Sequence, residues 1–213
     1  MRFKPVFMVG LFLSAVLVLG MSAAQASAGA EETGGGVLVD SFEKNTNALG
    51  GRAATYQKEP SRALGVRTAQ NARIEGGKSL TLKFDKKGEG GPYGKGGWCG
   101  FYELLKVGDQ YFDATSKTKI TFWVKGDTGE ENFKLGLADR QWDEVGDSVK
   151  SKPVTDYLES GKITMDWQKV EVPLAEFFID MKELASIAFC FETDLFEGGA
   201  MKSTVYIDDL RIE

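Results

Sequence analysis

The chain has 213 residues, with 26 Lys and Arg against 31 Asp and Glu, a net charge of −5, and no histidine. This acidic balance disfavours nucleic acid as a partner. The lack of histidine excludes Ser-His-Asp and Cys-His catalysis and His-ligated zinc. Any chemistry would therefore have to use carboxylates.

The N-terminal residues have the three-part layout of a secretory signal peptide. Arg2 and Lys4 precede an apolar stretch at 6–19, which small residues and an Ala-x-Ala cleavage site follow. The apolar stretch is too short for a comfortable membrane span. We expect residues 1–28 to be removed on export, so that the protein is secreted or periplasmic.

The remainder of the chain predicts one domain. Residues 29–36 are a polar, glycine-rich leader, and residues 37–213 show neither a repeat at a fixed period nor an internal linker. Without residues 1–28, 24 Lys and Arg face 31 Asp and Glu, which makes the mature chain more acidic, at −7.

Strand patterns dominate the mature chain. Short aromatic and β-branched runs alternate with clusters of Gly, Asn, Asp and Lys, which predicts an all-β fold, a two-sheet antiparallel β-sandwich of the jelly-roll type. We expect a short helical turn within 176–184. The predicted strands are 37–42, 79–84, 98–106, 119–125, 132–139, 168–172, 186–192 and 204–212.

Side chains alternate between the two faces of a strand, so each strand divides into an inward and an outward set. In 119–125, 132–139 and 186–192 the regularly spaced Ile, Leu, Val and Phe residues are the inward set. Trp123, Lys134 and Glu192 then face outward, and the same alternation turns Arg140 outward.

Strand 98–106 is ambiguous by this criterion. Two sets of residues are candidates for its inward face: one is Trp98, Tyr102 and Leu104, and the other is Cys99, Phe101 and Leu105. A disulfide between Cys99 and Cys190, the only cysteines, suits an oxidising compartment and would turn Phe101 and Glu103 outward beside Glu192. Two buried free thiols are the alternative.

The outward set resembles a sugar-binding surface in its chemistry. A pyranose offers an apolar face that stacks on aromatic rings and a rim of hydroxyls that bonds to charged groups. The loop after Arg140 supplies Trp142 as a wall of the site. The predicted ligand-binding residues are Trp123, Phe101, Arg140, Glu103, Glu192, Lys134 and Trp142.

Other functions of the same surface remain open. One alternative is the docking of another exported protein on this surface, and a second is a helix or loop that covers Trp123. A glycosidase needs two carboxylates about 5–9 Å apart, whereas register through the cysteines places Glu103 and Glu192 roughly 20 Å apart. We therefore expect a protein that is not an enzyme.

Several motifs in chain order resemble the galactose-binding-like jelly rolls, in particular the family 11 type carbohydrate-binding modules and the related intermediate-associated protein 30 domains. The resemblance implies a non-catalytic sandwich that binds glucan chains along a concave sheet and often holds a structural calcium. The absence of histidine is a departure that rules out any ligand contact made by histidine. The motifs are Asp40-Ser41-Phe42-Glu43, Asn47-Ala48-Leu49-Gly50-Gly51, Ile120-Thr121-Phe122-Trp123-Val124-Lys125-Gly126, Asp166-Trp167-Gln168-Lys169, Val172-Pro173-Leu174 and Val205-Tyr206-Ile207-Asp208-Asp209-Leu210.

Acidic residues at both ends of the mature chain are candidates for that calcium. Asp40, Glu43, Asp208 and Asp209 offer hard oxygen ligands from the first and last strands. Alternatively, Asp208 and Asp209 protect an edge strand against aggregation.

Overall fold

Eleven β-strands and one α-helix form the described part of the chain, which in this computed structural model comprises residues 36–91 and 94–213. The predicted signal peptide at 1–28 and all but the last residue of the predicted leader lie outside it. Within the described residues, no helix has the length and apolar character needed to cross a membrane. The elements are β1 (Val37–Asp40), β2 (Ala53–Gln57), β3 (Arg62–Thr68), β4 (Ser79–Lys86), β5 (Cys99–Leu104), β6 (Lys119–Gly126), β7 (Lys134–Asp139), α1 (Arg140–Val145), β8 (Val149–Pro153), β9 (Gln168–Pro173), β10 (Leu184–Phe191) and β11 (Met201–Ile212).

The strands form two antiparallel sheets. A six-stranded sheet has the order β3-β4-β11-β6-β9, with β1 also paired to β11, and a five-stranded sheet has the order β2-β5-β10-β7-β8. The predicted two-sheet β-sandwich is confirmed. The helical turn expected within 176–184 is not formed there: a 3-10 turn at Leu174–Glu176 ends where the predicted segment begins, and non-helical turns follow it up to β10.

Aromatic side chains fill the space between the sheets. Phe122 of β6 and Phe189 of β10 are fully buried with ring centroids 5.6 Å apart, and Phe133 meets Phe189 edge to face at 5.6 Å. Phe84 of β4 stacks on Phe191 at 3.7 Å. These contacts join the two sheets, because the paired rings come from strands of both.

The inward and outward faces of strand β5 are the reverse of those expected from a Cys99–Cys190 disulfide. Cys99, Phe101 and Glu103 face the core, and Phe101 belongs to the main hydrophobic cluster. Cys99 lies opposite Phe191, whereas Cys190 lies opposite Gly100. The two cysteines therefore project from opposite faces of the sheet, and both are buried free thiols. The predicted disulfide is wrong, and the inward orientation of Phe101 and Glu103 follows from this pairing.

A buried polar group lies at one end of the core. Asp40 of β1 accepts a hydrogen bond from Arg67 of β3 at 2.6 Å, and Arg67 approaches Glu103 of β5 at 3.4 Å. Asn47 donates to Glu103 at 3.2 Å. We call Asp40, Asn47, Arg67 and Glu103 the core carboxyl cluster; it links strands of both sheets.

The proton balance of this cluster is unusual. The pKa of Glu103 is raised to about 9, mainly by burial and secondly by the neighbouring Asp40. Glu103 is therefore protonated in the folded protein at neutral pH. A neutral Glu103 leaves Asp40 as the partner of the Arg67 charge, and so avoids two buried negative charges side by side.

The thiol arrangement predicts that the purified protein has two titratable thiols per chain. They should react with a thiol reagent only after denaturation, because burial raises the pKa of Cys99 to about 12 and that of Cys190 to about 11. The measurement is thiol titration in denaturant without reductant. Finding no thiol there would contradict the observed strand pairing.

The core carboxyl cluster predicts a falling stability with rising pH. The folded state keeps a proton on Glu103 that the unfolded chain releases near pH 4.5, so the free energy of unfolding decreases between pH 4.5 and about 9. The decrease is at most about 1.4 kcal/mol per pH unit. Urea denaturation at about pH 6.5 and about pH 8 measures this decrease. Both pH values lie above the raised pKa of Asp208, about 6, so that Asp208 contributes little to the difference.

Glu103→Gln should flatten this slope, because the amide has the size and polarity of a neutral carboxyl group but does not titrate. Glu144→Gln on the exposed face of α1 is the matched control and should leave the slope unchanged. A slope that persists in Glu103→Gln would mean that Glu103 is ionised in the folded protein.

Candidate functional site

The face of the five-stranded sheet that points away from the core carries a groove of about 960 Å³, within the size range of ligand sites. Its floor is formed by Ser186 and Ala188, two outward residues of the central strand β10. On the adjacent strand β7, Gly136 lies opposite Ala188, and the Ser148 side chain packs over it. The small side chains of Ser186 and Ala188 thus leave room above β10.

Aromatic residues form one wall of the groove. Tyr102 and Leu104 project from β5, and Trp98, immediately before that strand, is 41% exposed. Tyr56 of β2 lies over Gly100, where an added Cβ would collide with its hydroxyl, and it hydrogen-bonds to the Cys190 thiol. The pairing of β2 and β5 therefore sets several ring systems along one side.

The opposite wall is built by α1 and the segment that joins it to β8. The helix begins after Asp139, whose side chain accepts a hydrogen bond from the Trp142 amide at 3.0 Å. It ends at Gly146, whose φ of 75° is the left-handed conformation that glycine tolerates best. These two caps fix a single short helix and direct Trp142 and Asp143 toward the groove.

The charged groups of the groove are mostly paired with each other. Lys134 forms an ion pair with Asp194 at 2.6 Å, and Lys150 forms one with Asp147 at 2.9 Å. Lys106, next to the aromatic wall, pairs with Asp143 across the end of the sheet, and the hydrogen bond with this carboxylate raises the pKa of Lys106.

Glu192, at the end of β10, also lines the groove. Within the described residues it makes no ion pair. The groove thus combines exposed rings, fixed ion pairs and one carboxylate free of an ionic partner, an arrangement suited to a neutral, hydroxyl-rich ligand with apolar faces.

Three of the predicted ligand-binding residues lie in this groove. Lys134, Trp142 and Glu192 all line it, although they come from different elements. Their contact with a ligand stays a prediction. The placement of Glu192 and Lys134 follows from the alternation of β10 and β7, as expected.

The other four lie elsewhere. Phe101 and Glu103 are in the core, so their predicted outward orientation is wrong. Trp123 lies on β6 of the other sheet, where the Arg73 guanidinium covers its ring at 5.0 Å. Arg140 starts α1 but pairs with Glu183 at 2.7 Å and stacks on Tyr111 at 4.7 Å, away from the groove.

Several groove residues were not among those predicted. The sequence left two orientations of β5 open. The assumed disulfide turned Cys99 outward and Tyr102 and Trp98 inward, and so it removed these two rings from the predicted site. Tyr56, Ser148 and Lys150 carry no sequence signal of their own, because they come from strands or a turn that the sequence pattern did not reveal.

The predicted calcium ligands do not share one oxygen shell. Asp40 is bound to Arg67 at 2.6 Å, Asp208 to Arg73 at 3.1 Å, and Glu43 accepts from the Lys78 amide at 2.8 Å. Among residues 36–91 and 94–213 there is no group of three or more acidic, Cys or His side chains placed to hold a metal. As placed, these residues do not fit the predicted calcium, and calcium binding itself remains untested.

The chain can now be compared with known proteins. Residues 40–213 match the family described as carbohydrate binding domain 30. Among curated proteins, none matches the chain in sequence. The family match covers all elements that build the groove, from β2 to β10.

Solved structures are similar in fold, at sequence identities too low to show more than the fold. The family 11 carbohydrate-binding module of the cellulosomal cellulase Lic26A-Cel5E of Clostridium thermocellum is 15% identical, with a TM-score of 0.56 over 83% of this chain and 93% of that chain. The family 11 module from the same organism in complex with a β-1,3-1,4-mixed-linked tetrasaccharide is also 15% identical, with a TM-score of 0.57 over 83% and 94%. The family 30 module of the C. thermocellum cellulosomal cellulase Cel9D-Cel44B is 18% identical, with a TM-score of 0.51 over 75% and 97%.

These findings confirm the resemblance to jelly-roll carbohydrate-binding modules and the expectation that the protein is not an enzyme. Glu103 lies in the core, whereas Glu192 lines the groove, so these two carboxylates do not share one site. The chain belongs to the carbohydrate binding domain 30 family and has a non-catalytic, carbohydrate-binding role.

Proposed function

We propose that the protein is an exported module that binds a β-glucan chain in the groove of the five-stranded sheet. The observation that carries this proposal is the groove itself, in which Trp98, Tyr102 and Trp142 border a floor of small residues. The family 11 module of similar fold in complex with a mixed-linked tetrasaccharide supports the choice of glucan. The signal-peptide layout of residues 1–28 supports export to the periplasm or the exterior.

Stacking supplies the apolar part of the interaction. Tyr102 stands on β5 directly beside Ala188, so its ring borders the lowest part of the floor. Trp142 faces it from α1 on the other wall. A pyranose ring between such walls covers aromatic surface with its C–H face, which removes apolar area from water.

The ion pairs supply the polar part. Each pair still has carboxylate oxygens that accept hydrogen bonds from sugar hydroxyls, and hydrogen bonds to charged groups are stronger than neutral ones. Because Lys134 is held by Asp194, and Lys150 by Asp147, these groups are already oriented before a ligand arrives. Such preorganisation lowers the entropic cost of binding.

The proposal predicts that Tyr102→Ala and Trp142→Ala weaken binding to soluble β-1,3-1,4-glucan by about tenfold or more, which corresponds to ~1.4 kcal/mol. Affinity electrophoresis and calorimetry with the mixed-linked tetrasaccharide measure the effect. Trp123→Ala is the matched control, since it removes a large ring from the other sheet and should leave the affinity unchanged.

Thermal unfolding of each variant separates a loss of binding from a loss of fold. If only Trp123→Ala abolished binding, the ligand site would lie on the six-stranded sheet. If the wild type bound no β-glucan, mannan or xylan, the proposal would fail, and docking of another exported protein in the groove would become the better hypothesis.

A further inference from the structure

We propose that the groove selects uncharged glycan chains and rejects chains that carry uronate groups, with Glu192 as the residue that sets this selectivity. The inference rests on the proposed function, since it concerns what the same groove accepts. It is carried by the distribution of charge in the groove, where both lysines of the described lining already pair with carboxylates.

Lys150 is the clearest example of an occupied cation. Its ammonium group donates to Asp147 at 2.9 Å, to the Ser148 hydroxyl at 2.9 Å and to the Ser148 carbonyl at 3.0 Å. An ammonium group has three donors, so all of them are used. A ligand carboxylate could bind Lys150 only by displacing one of these partners.

The remaining lysines are neutralised in the same way. Lys134 is held by Asp194 at 2.6 Å and is only 17% exposed in its side chain. Lys106 pairs with Asp143 and also lies over the Tyr111 ring at 5.2 Å. Lys106, Lys134 and Lys150 thus each have a carboxylate partner.

Glu192 adds a further carboxylate to the lining of the groove, and it makes no ion pair within the described part of the chain. Its charge acts on Tyr56, Cys190 and Lys150 around the floor. The lining thus has four carboxylates, from Asp143, Asp147, Glu192 and Asp194, and two ammonium groups, from Lys134 and Lys150. Lys106, beside the groove, pairs with Asp143, so Glu192 is the carboxylate of this described set without an ion-pair partner.

This balance favours sugar hydroxyls over sugar carboxylates. A hydroxyl can donate a hydrogen bond to Glu192, whereas an ionised uronate can only accept one. Two carboxylates that share a partly desolvated groove also repel each other. A uronate would consequently lose a hydrogen bond and gain a repulsion at the same place.

The test compares one soluble β-1,3-1,4-glucan with the same glucan oxidised at C6 to glucuronate residues, by calorimetry with the full protein. We expect the oxidised chain to bind at least about tenfold more weakly at low salt. Raising the salt to about 0.5 M should narrow the difference, because salt screens charge repulsion but not a difference of shape.

Glu192→Gln should reduce the discrimination between the two chains several-fold, because the amide removes the charge and keeps the size. The matched control is Glu171→Gln on β9 of the other sheet, which should leave the ratio of affinities unchanged. The affinity of each variant for the neutral glucan is measured as well. Binding of this glucan shows that the variant is folded and able to bind.

Three results would overturn the proposal. They are equal or tighter binding of the oxidised chain at low salt, a discrimination that salt does not change, and a ratio that Glu192→Gln leaves intact. Failure of the neutral glucan and all other neutral glycans to bind is a different outcome, which overturns the proposed function itself and this inference with it.

Discussion

The position of β10 at the centre of the five-stranded sheet is the constraint on which the other features depend. Its residues alternate between phenylalanine or isoleucine on one face and serine, alanine or cysteine on the other. The large residues join the core with Phe122 and Phe133, while Ser186 and Ala188 form the floor of the groove. A single period-two pattern thus builds both the core and the site.

Antiparallel pairing transmits this pattern to the neighbours. Tyr102 is outward because it lies opposite Ala188, and Gly136 faces the same side on β7, where it makes room for the Ser148 side chain. A shift of one residue between β5 and β10 would exchange the core and groove sets of β5. It would bring Tyr102 into the core and turn Phe101 and Glu103 out.

The register places an acidic residue in the core, and the protein compensates for it locally. Arg67 lies between the Phe42 and Phe101 rings, 5.6 and 5.9 Å from their centroids, and bonds to Asp40. Glu103 is left with a raised pKa, because burial disfavours its charged form. In the groove, by contrast, Lys134 and Lys150 each pair with a partly exposed carboxylate, Asp194 and Asp147. Carboxyl groups therefore have a structural role in the core and line a surface groove on the other face of the same sheet.

The sequence alone determined the fold class, the inward sets of β6, β7 and β10, and the resemblance to jelly-roll carbohydrate-binding modules, because clear alternation of polar and apolar residues specifies which face of a strand is buried. Strands β2, β3 and β8 escaped prediction, since their sequences show no regular alternation in which the apolar residues are the buried ones; in β3 the apolar Leu64 and Val66 are the exposed residues. The orientation of β5 and the location of Trp123 could not be read from the sequence, because both sides of β5 carry large apolar residues and alternation assigns a face without naming the sheet. Only the tertiary structure decided these points, since strand pairing, rather than any local pattern, places Cys99 and Cys190 on opposite faces and assigns Trp123 and Trp142 to different sides of the sandwich.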